Sequence, residues 1–184
     1  MKVKLFIFSF IAAVFCACEQ NGVGDASLIE GGWDLRNIDY DKTVYADYNG
    51  NTHLKDSAYT RTFEDKEQVW LFYQGDISEW QYYVQDGEGY WSGYACDCWR
   101  KYRTEGEGEN MTIVETRGSI IPGYEGVTTT RRYKVEKLTR KAMVLSTIER
   151  MYNSDTQSPV DVNAVYTFKR DNSLLEYIRS VYPE

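Results

Sequence analysis

The 184-residue chain has one histidine, His53, and no excess of positive charge: 21 basic side chains stand against 28 acidic ones, a formal net charge of −7. A lone histidine excludes a histidine-built metal cage, since zinc takes about four N, S or O ligands. It also leaves no spacing from which a Ser-His-Asp arrangement is recognised. The acidic balance excludes nucleic acid as a partner, because phosphate neutralisation needs clustered Lys and Arg. Long hydrophobic runs are missing too. The longest, Leu5 to Phe15, has eleven residues, short of the roughly 20 a spanning helix requires. Proline is scarce, at 3, whereas Tyr and Trp number 16 and 5. That aromatic enrichment favours strands over helices.

The amino terminus, "MKVKLFIFSFIAAVFCACEQNGVGD", places Lys2 and Lys4 before the short apolar run, the plan of a secretory signal. A lipoprotein signal ends in a small residue followed by the cysteine that is acylated. Ala17–Cys18 fits that rule, while Phe15–Cys16 sets a bulky ring where a small residue belongs. The start resembles bacterial lipoprotein signals, particularly those of the Bacteroidota. The resemblance implies a signal over residues 1–17, lipidation of Cys18, a polar tether over 18–27, and an outer-membrane lipoprotein whose membrane partner is its own acyl anchor. The remaining 167 residues carry 19 basic and 28 acidic side chains and suffice for one domain, here residues 28–184.

Beyond the tether the chain reads as short strand-like runs divided by turn residues. Asn49–Gly50–Asn51 and Asp86–Gly87–Glu88–Gly89 mark hairpin turns. "VWLFY", Val69 to Tyr73, is apolar on both faces and reads as a central strand. "VTTTRRYKVEKLTRKAMVLSTIER" is a hairpin turning near Thr139–Lys141, with the basic residues from Arg131 to Lys141 as its solvated face. "VNAVYTFKR" is the last strand, after a polar loop "NSDTQSP". One helix follows: Ser173 and Glu176 have capping-box spacing, and Leu174, Leu175, Ile178, Val181 and Tyr182 share a face. The expected fold is an all-β antiparallel barrel of about eight to ten strands with a short C-terminal helix over one barrel end.

"EGGWDL", with Gly31–Gly32–Trp33, resembles the Gly-x-Trp first strand of lipocalins, and "YTFKR" resembles their closing strand. The resemblance implies a lipocalin-like domain in which Trp33 sits at the closed end of the barrel under Arg170, a structural cation–π pair. It further implies a non-enzymatic protein, without a cofactor, that binds a small apolar or amphipathic molecule in the barrel. Inward-facing aromatics would then line the site, and Trp70, Phe72, Tyr82 and Tyr94 are the candidates. The alternative is a surface accessory module that presents exposed aromatics to a glycan or to a protein partner.

"YACDCWRKYR" carries Cys96 and Cys98. On a strand over residues 90–102 they share a face about 6–7 Å apart, whereas a disulfide needs Cβ atoms about 3.5–4.5 Å apart. A bridge between them therefore requires the strand to break. The acids of "EGEGEN" lack the calcium-loop pattern and read as solvated turn residues. His53, beside a turn, reads as a surface residue.

Overall fold

The computed structural model describes residues 25–94 and 98–182. The expected signal, lipidation at Cys18 and the Cys96 thiol lie outside the described residues. In chain order the strands are β1 (Gly31–Tyr40), β2 (Thr43–Ala46), β3 (Thr52–Lys55), β4 (Tyr59–Thr62), β5 (Val69–Tyr73), β6 (Asp76–Gln85), β7 (Glu88–Gly93), β8 (Cys98–Glu105), β9 (Thr112–Ser119), β10 (Thr128–Leu138), β11 (Ala142–Asn153) and β12 (Ser158–Arg170). Helix α1 (Ser173–Val181) follows.

Eight strands close an antiparallel barrel in the order β1-β5-β6-β8-β9-β10-β11-β12, and β12 pairs back onto β1 from Trp33–Arg170 to Tyr40–Ala164. The architecture is consistent with a lipocalin-like fold. Strand β4 extends the β5 side of the wall by pairing with the second half of β1. Strands β2 and β3 form a separate hairpin.

Period-two alternation decides what fills the barrel. On β12, Val162, Ala164, Tyr166 and Phe168 are buried between exposed or half-buried neighbours; on β11, Met143 and Leu145 repeat the pattern. Strand β5 is buried on both faces because its even residues, Trp70 and Phe72, face inward while Val69 and Leu71 lie beneath α1. Trp70 packs among Phe168, Tyr166 and Tyr133, with ring centroids 5.2, 5.7 and 5.9 Å away.

One end of the barrel, the floor, is sealed by the Gly-Gly-Trp segment. The Arg170 guanidinium carbon lies 4.6 Å from the centroid of the Trp33 ring. Its Nη1 and Nη2 donate to the carbonyls of Leu28 and Glu30, each at 2.7 Å. The Trp33 indole donates to the Ile29 carbonyl at 2.7 Å. Gly31 has φ +130°, and a Cβ there would meet Arg170 Nη2 at 2.5 Å, so the backbone angle and the guanidinium both demand glycine. Packed structure begins slightly earlier than the expected boundary at residue 28: a 3₁₀ turn, Ala26–Leu28, packs against the floor with Ala26 and Leu28.

Three further expectations change. The strand expected over residues 90–102 is two strands, β7 and β8, with different partners: β7 folds back on β6, and β8 runs along β9. Residues 154–157 alone form the turn before the last strand, since Asn153 already pairs with Ser158. Helix α1 packs on the outer wall, not over a barrel end, because Val69, Leu71 and Trp91 leave an apolar outer patch that Leu174, Leu175 and Ile178 cover. Only its first two turns reach that patch, so Val181 and Tyr182 are exposed. Ser173 does not cap it. Asp171 Oδ1 accepts from the Ser173 amide at 2.8 Å and from its hydroxyl at 2.6 Å, with Asn172 in the N-cap position.

Candidate functional site

Away from the floor, the inward alternation continues but the residue types change. Inward positions become Glu115 and Arg117 on β9, Arg131 on β10, Thr147 and Glu149 on β11, Arg100 on β8 and Glu79 on β6. Glu115 is completely buried and Arg100 is 6% exposed.

This polar half coincides with two breaks in the strand ladder. Strands β6 and β8 share one bridge, Asp76–Lys101, and diverge beyond it. Strands β10 and β11 pair from Leu138–Met143 to Lys134–Ser146 and then separate. Side chains cross both gaps. Arg100 Nη1 donates to Glu79 across the first, and Arg131 Nη1 donates to Glu149 at 3.2 Å across the second. The two crossings are joined through the interior. Arg100 Nε and Arg117 Nε both donate to Glu115 Oε1, the latter at 2.6 Å. The Tyr133 hydroxyl donates to Glu115 Oε2 at 2.9 Å, and the Tyr166 hydroxyl donates to Glu149. Three arginines and three glutamates therefore run from seam to seam, a charge-balanced set.

The network sets protonation. Burial pushes the Glu115 carboxyl up, but Arg117 and Arg100 outweigh it and hold it below its ordinary value. Burial, with Glu115 close by, raises the Tyr133 hydroxyl, and burial together with Glu149 raises Tyr166. Both tyrosines stay neutral donors at physiological pH. Burial opposes the charge on Arg131, yet Tyr133 and Glu149 raise its pKa overall.

Each seam opens a cleft. At β10–β11 it has a volume of about 960 Å³, and its charged lining is Arg117, Arg131, Arg132, Lys134 and Arg150 against Glu149, with Thr129, Thr130 and Thr147 between them. At β6–β8 it has about 640 Å³ and is lined by Ile77, Glu79, Tyr94, Cys98, Trp99 and Arg100 among others. Arg117 lines both clefts. Among the described residues neither is an enclosed apolar chamber, and no three His, Cys, Asp or Glu gather to hold a metal ion.

The four aromatics expected to line one site are not brought together. Trp70 and Phe72, at 3% and 0% exposure, are packing inside the core. Tyr82 and Tyr94 lie outside the barrel, on and just after the β6–β7 hairpin. Tyr82 stacks edge-on against Trp91, and the Tyr94 hydroxyl donates to Gln81 at 2.8 Å. The hairpin explains this: beyond Trp80 its strands pair only with each other, so their rings have no barrel to face. Tyr94 does reach the β6–β8 cleft from the rim.

Trp33 and Arg170, in contrast, are in contact as described. Cys98 is half-buried at the start of β8, while β7 ends at Gly93 and Tyr94 stands outside both strands. The other sulfur of a local bridge lies outside the described residues. His53 is tied down: its ring nitrogens face Asp155 at 2.8 Å and Asp47 at 3.4 Å.

The basic residues of β10 are not one solvated face. Arg132 and Lys134 are exposed, but Arg131 shares the inward parity of Tyr133 and Val135. The interior charges Glu115, Arg117, Arg131 and Glu149 escaped sequence reading, although a signal for them exists. Each continues the alternation of an apolar strand at the inward parity, as in Ile113–Glu115–Arg117 and Met143–Leu145–Thr147–Glu149. Compared with protein-family models and with curated proteins, the chain matches none.

Proposed function

We propose that the chain is a lipid-anchored, non-enzymatic binding protein of the bacterial outer membrane, with a lipocalin-like barrel that takes a small amphipathic molecule. The anchor reading rests on the signal-like start and on Ala17–Cys18. The ligand reading rests on the β10–β11 cleft. In a chain of net charge −7, this cleft has five basic side chains and one acid in its lining. Arg117, Arg131, Arg132 and Lys134 pair with Glu115, Glu149, Glu105 and Glu136, and Arg150 has no ion pair among the described residues. Arg150 within this basic lining favours an anionic head group, and Thr129 and Thr130 supply neutral hydroxyls beside it. The apolar end of the barrel is filled by the protein's own rings. Polar contacts at the open seams therefore select the ligand, and its apolar portion stays near the cleft.

Native mass spectrometry of the protein purified from its own membrane tests this directly. The expected result is retained non-protein mass, lost in Arg131→Gln. Its repeated absence, with no binding of an added amphipathic anion such as octanoate, would sink the reading. Replacement of Cys18 by Ala tests the anchor separately and is expected to release the protein from the membrane fraction.

One observation favours a second reading, a surface accessory module. On the projecting β6–β7 hairpin, Tyr83 and Tyr90 stack at 5.6 Å with both rings exposed, beside exposed Tyr82 and Tyr94. Flat aromatic faces of this kind suit a sugar ring or a protein partner. Loss of glycan-array binding in Tyr83→Ala/Tyr90→Ala would support it.

A further inference from the structure

Two buried donors at the boundary between the aromatic floor and the charged half have no acceptor among the described residues: Arg100 Nη2 and Trp70 Nε1. Buried donors in folded proteins are overwhelmingly paired, and an indole N–H can only donate. Their side chains are in contact. The Arg100 guanidinium carbon lies 4.8 Å from the centroid of the Trp70 ring, and Trp70 pairs across the sheet with Glu79, which Arg100 contacts. Both side chains are more than nine-tenths buried. Arg100 also lines the β6–β8 cleft of about 640 Å³.

We propose that the β6–β8 seam admits a ligand that places a neutral carbonyl oxygen, of a ketone, ester or amide, on Arg100 Nη2 and Trp70 Nε1. This rests on the reading that the barrel interior admits a ligand. Charge decides the class of acceptor. The other donors of Arg100 are committed: Nε to Glu115 and Nη1 to Glu79, while Arg117 also serves Glu115. That quartet, two arginines and two glutamates, is already neutral. An anion here would add a third negative charge beside Glu79 and Glu115 in a poorly solvated site, where like charges are costly. A carbonyl oxygen has two lone pairs and no net charge, so it accepts from both donors at no such cost. The β10–β11 cleft, where Arg150 has no ion pair among the described residues, is the place for an anion. The two seams thus read different groups, and Arg117 stands between them.

Three ring compounds of similar size separate these roles. The full chain, with ¹⁵N-labelled tryptophan and backbone, is titrated with cyclohexanone, cyclohexanecarboxylate or methylcyclohexane. The Trp70 indole resonance is assigned from Trp70→Phe. Cyclohexanone is expected to move that resonance downfield to saturation, and Arg100→Lys, which keeps a cation between Glu79 and Glu115, is expected to weaken its binding about fivefold to tenfold. Cyclohexanecarboxylate is expected to move β10–β11 amides and leave the Trp70 indole in place. A Trp70 resonance unmoved by cyclohexanone overturns the proposal, and so does an equal shift with methylcyclohexane. Full affinity for cyclohexanone in Arg100→Lys does the same. A failure of the broader ligand reading looks different: the β10–β11 amides would not respond to the carboxylate.

Discussion

The two halves of this barrel are built from the same strands and solve closure in opposite ways. At the floor, β12 pairs with β1 to close the ring, with one register shift between Leu35 and Asn37; the interior is rings and aliphatic chains, and the Arg170 charge is satisfied by two backbone carbonyls and an indole face. At the other half the ladder fails at two seams, and ion pairs between inward side chains cross the gaps. The floor is stabilised by burial, which scales with apolar area and does not depend on direction. The polar half is held by hydrogen bonds whose net contribution is small but whose loss leaves expensive unpaired charge. One half is therefore built for stability. The other accepts weaker closure in return for openings lined with donors.

Cutting into each half should separate these roles. The largest effect is expected at the floor: Trp33→Ala removes a fully buried indole and its contact with Arg170, at a cost of about 3–5 kcal/mol in denaturant unfolding. Glu115→Ala strikes the other half nearly as hard, with a loss of about 3 kcal/mol, because Arg100 and Arg117 lose their shared buried carboxylate. The sharper comparison comes from compensation. Arg100→Met/Glu115→Leu/Arg117→Met should recover most of that stability, since apolar groups of similar volume replace buried ion pairs at little net cost, while ligand retention is lost. No such rescue is expected for Trp33→Ala. A triple variant that remains as unstable as Glu115→Ala would show that the network is itself the stabilising element.

Gly31→Ala ranks next. A Cβ at φ +130° would collide with Arg170 Nη2, at a cost of about 1–3 kcal/mol, and the thermal midpoint should fall without any change at the clefts. The smallest effect concerns the rim. His53 joins the β2–β3 hairpin to the β11–β12 turn through Asp155 and is held within its own hairpin by Asp47, and Ser154 and Thr52 add two hydrogen bonds across the same junction. Hydrogen bonding to Asp155, followed by Asp47, raises the His53 pKa above its ordinary value. A raised folded-state value means that the ionic part of the attachment is complete below the ordinary histidine pKa and is lost as pH rises through the folded value. Amide exchange at Thr52 and Ser154, corrected for intrinsic rates, should thus quicken between roughly pH 5.5 and 8. Equal protection at both ends of that range, or the same change in His53→Asn, would remove the latch.

Sequence reading recovered the floor better than the polar half, for a local reason. Trp33, Phe72, Met143 and Phe168 are apolar residues at alternating positions, so composition and parity agree. Glu115, Arg131 and Glu149 have the parity of the interior and the composition of the surface, and composition pulled Arg131 onto the solvated face. The hairpin rings failed differently. Tyr82 has the residue type of a cavity lining, but its strand has run past the barrel wall, which no local pattern records.

The sequence by itself determined the all-β class, the hairpin turn at Asp86–Gly87, where both residues have positive φ, and the alternation of apolar positions along strands such as β11 and β12. These follow from backbone sterics and a period of two, which operate within a few residues. The resemblance of its first and last strands to those of lipocalins also marked the glycine, tryptophan and arginine that close the floor. Only the tertiary structure decided where strand pairing stops, that α1 lies on the wall, and that Arg100 from β8 meets Glu79 from β6 and Glu115 from β9. Those contacts join residues 15 to 21 positions apart, through a register that closure of the whole barrel imposes on every strand at once.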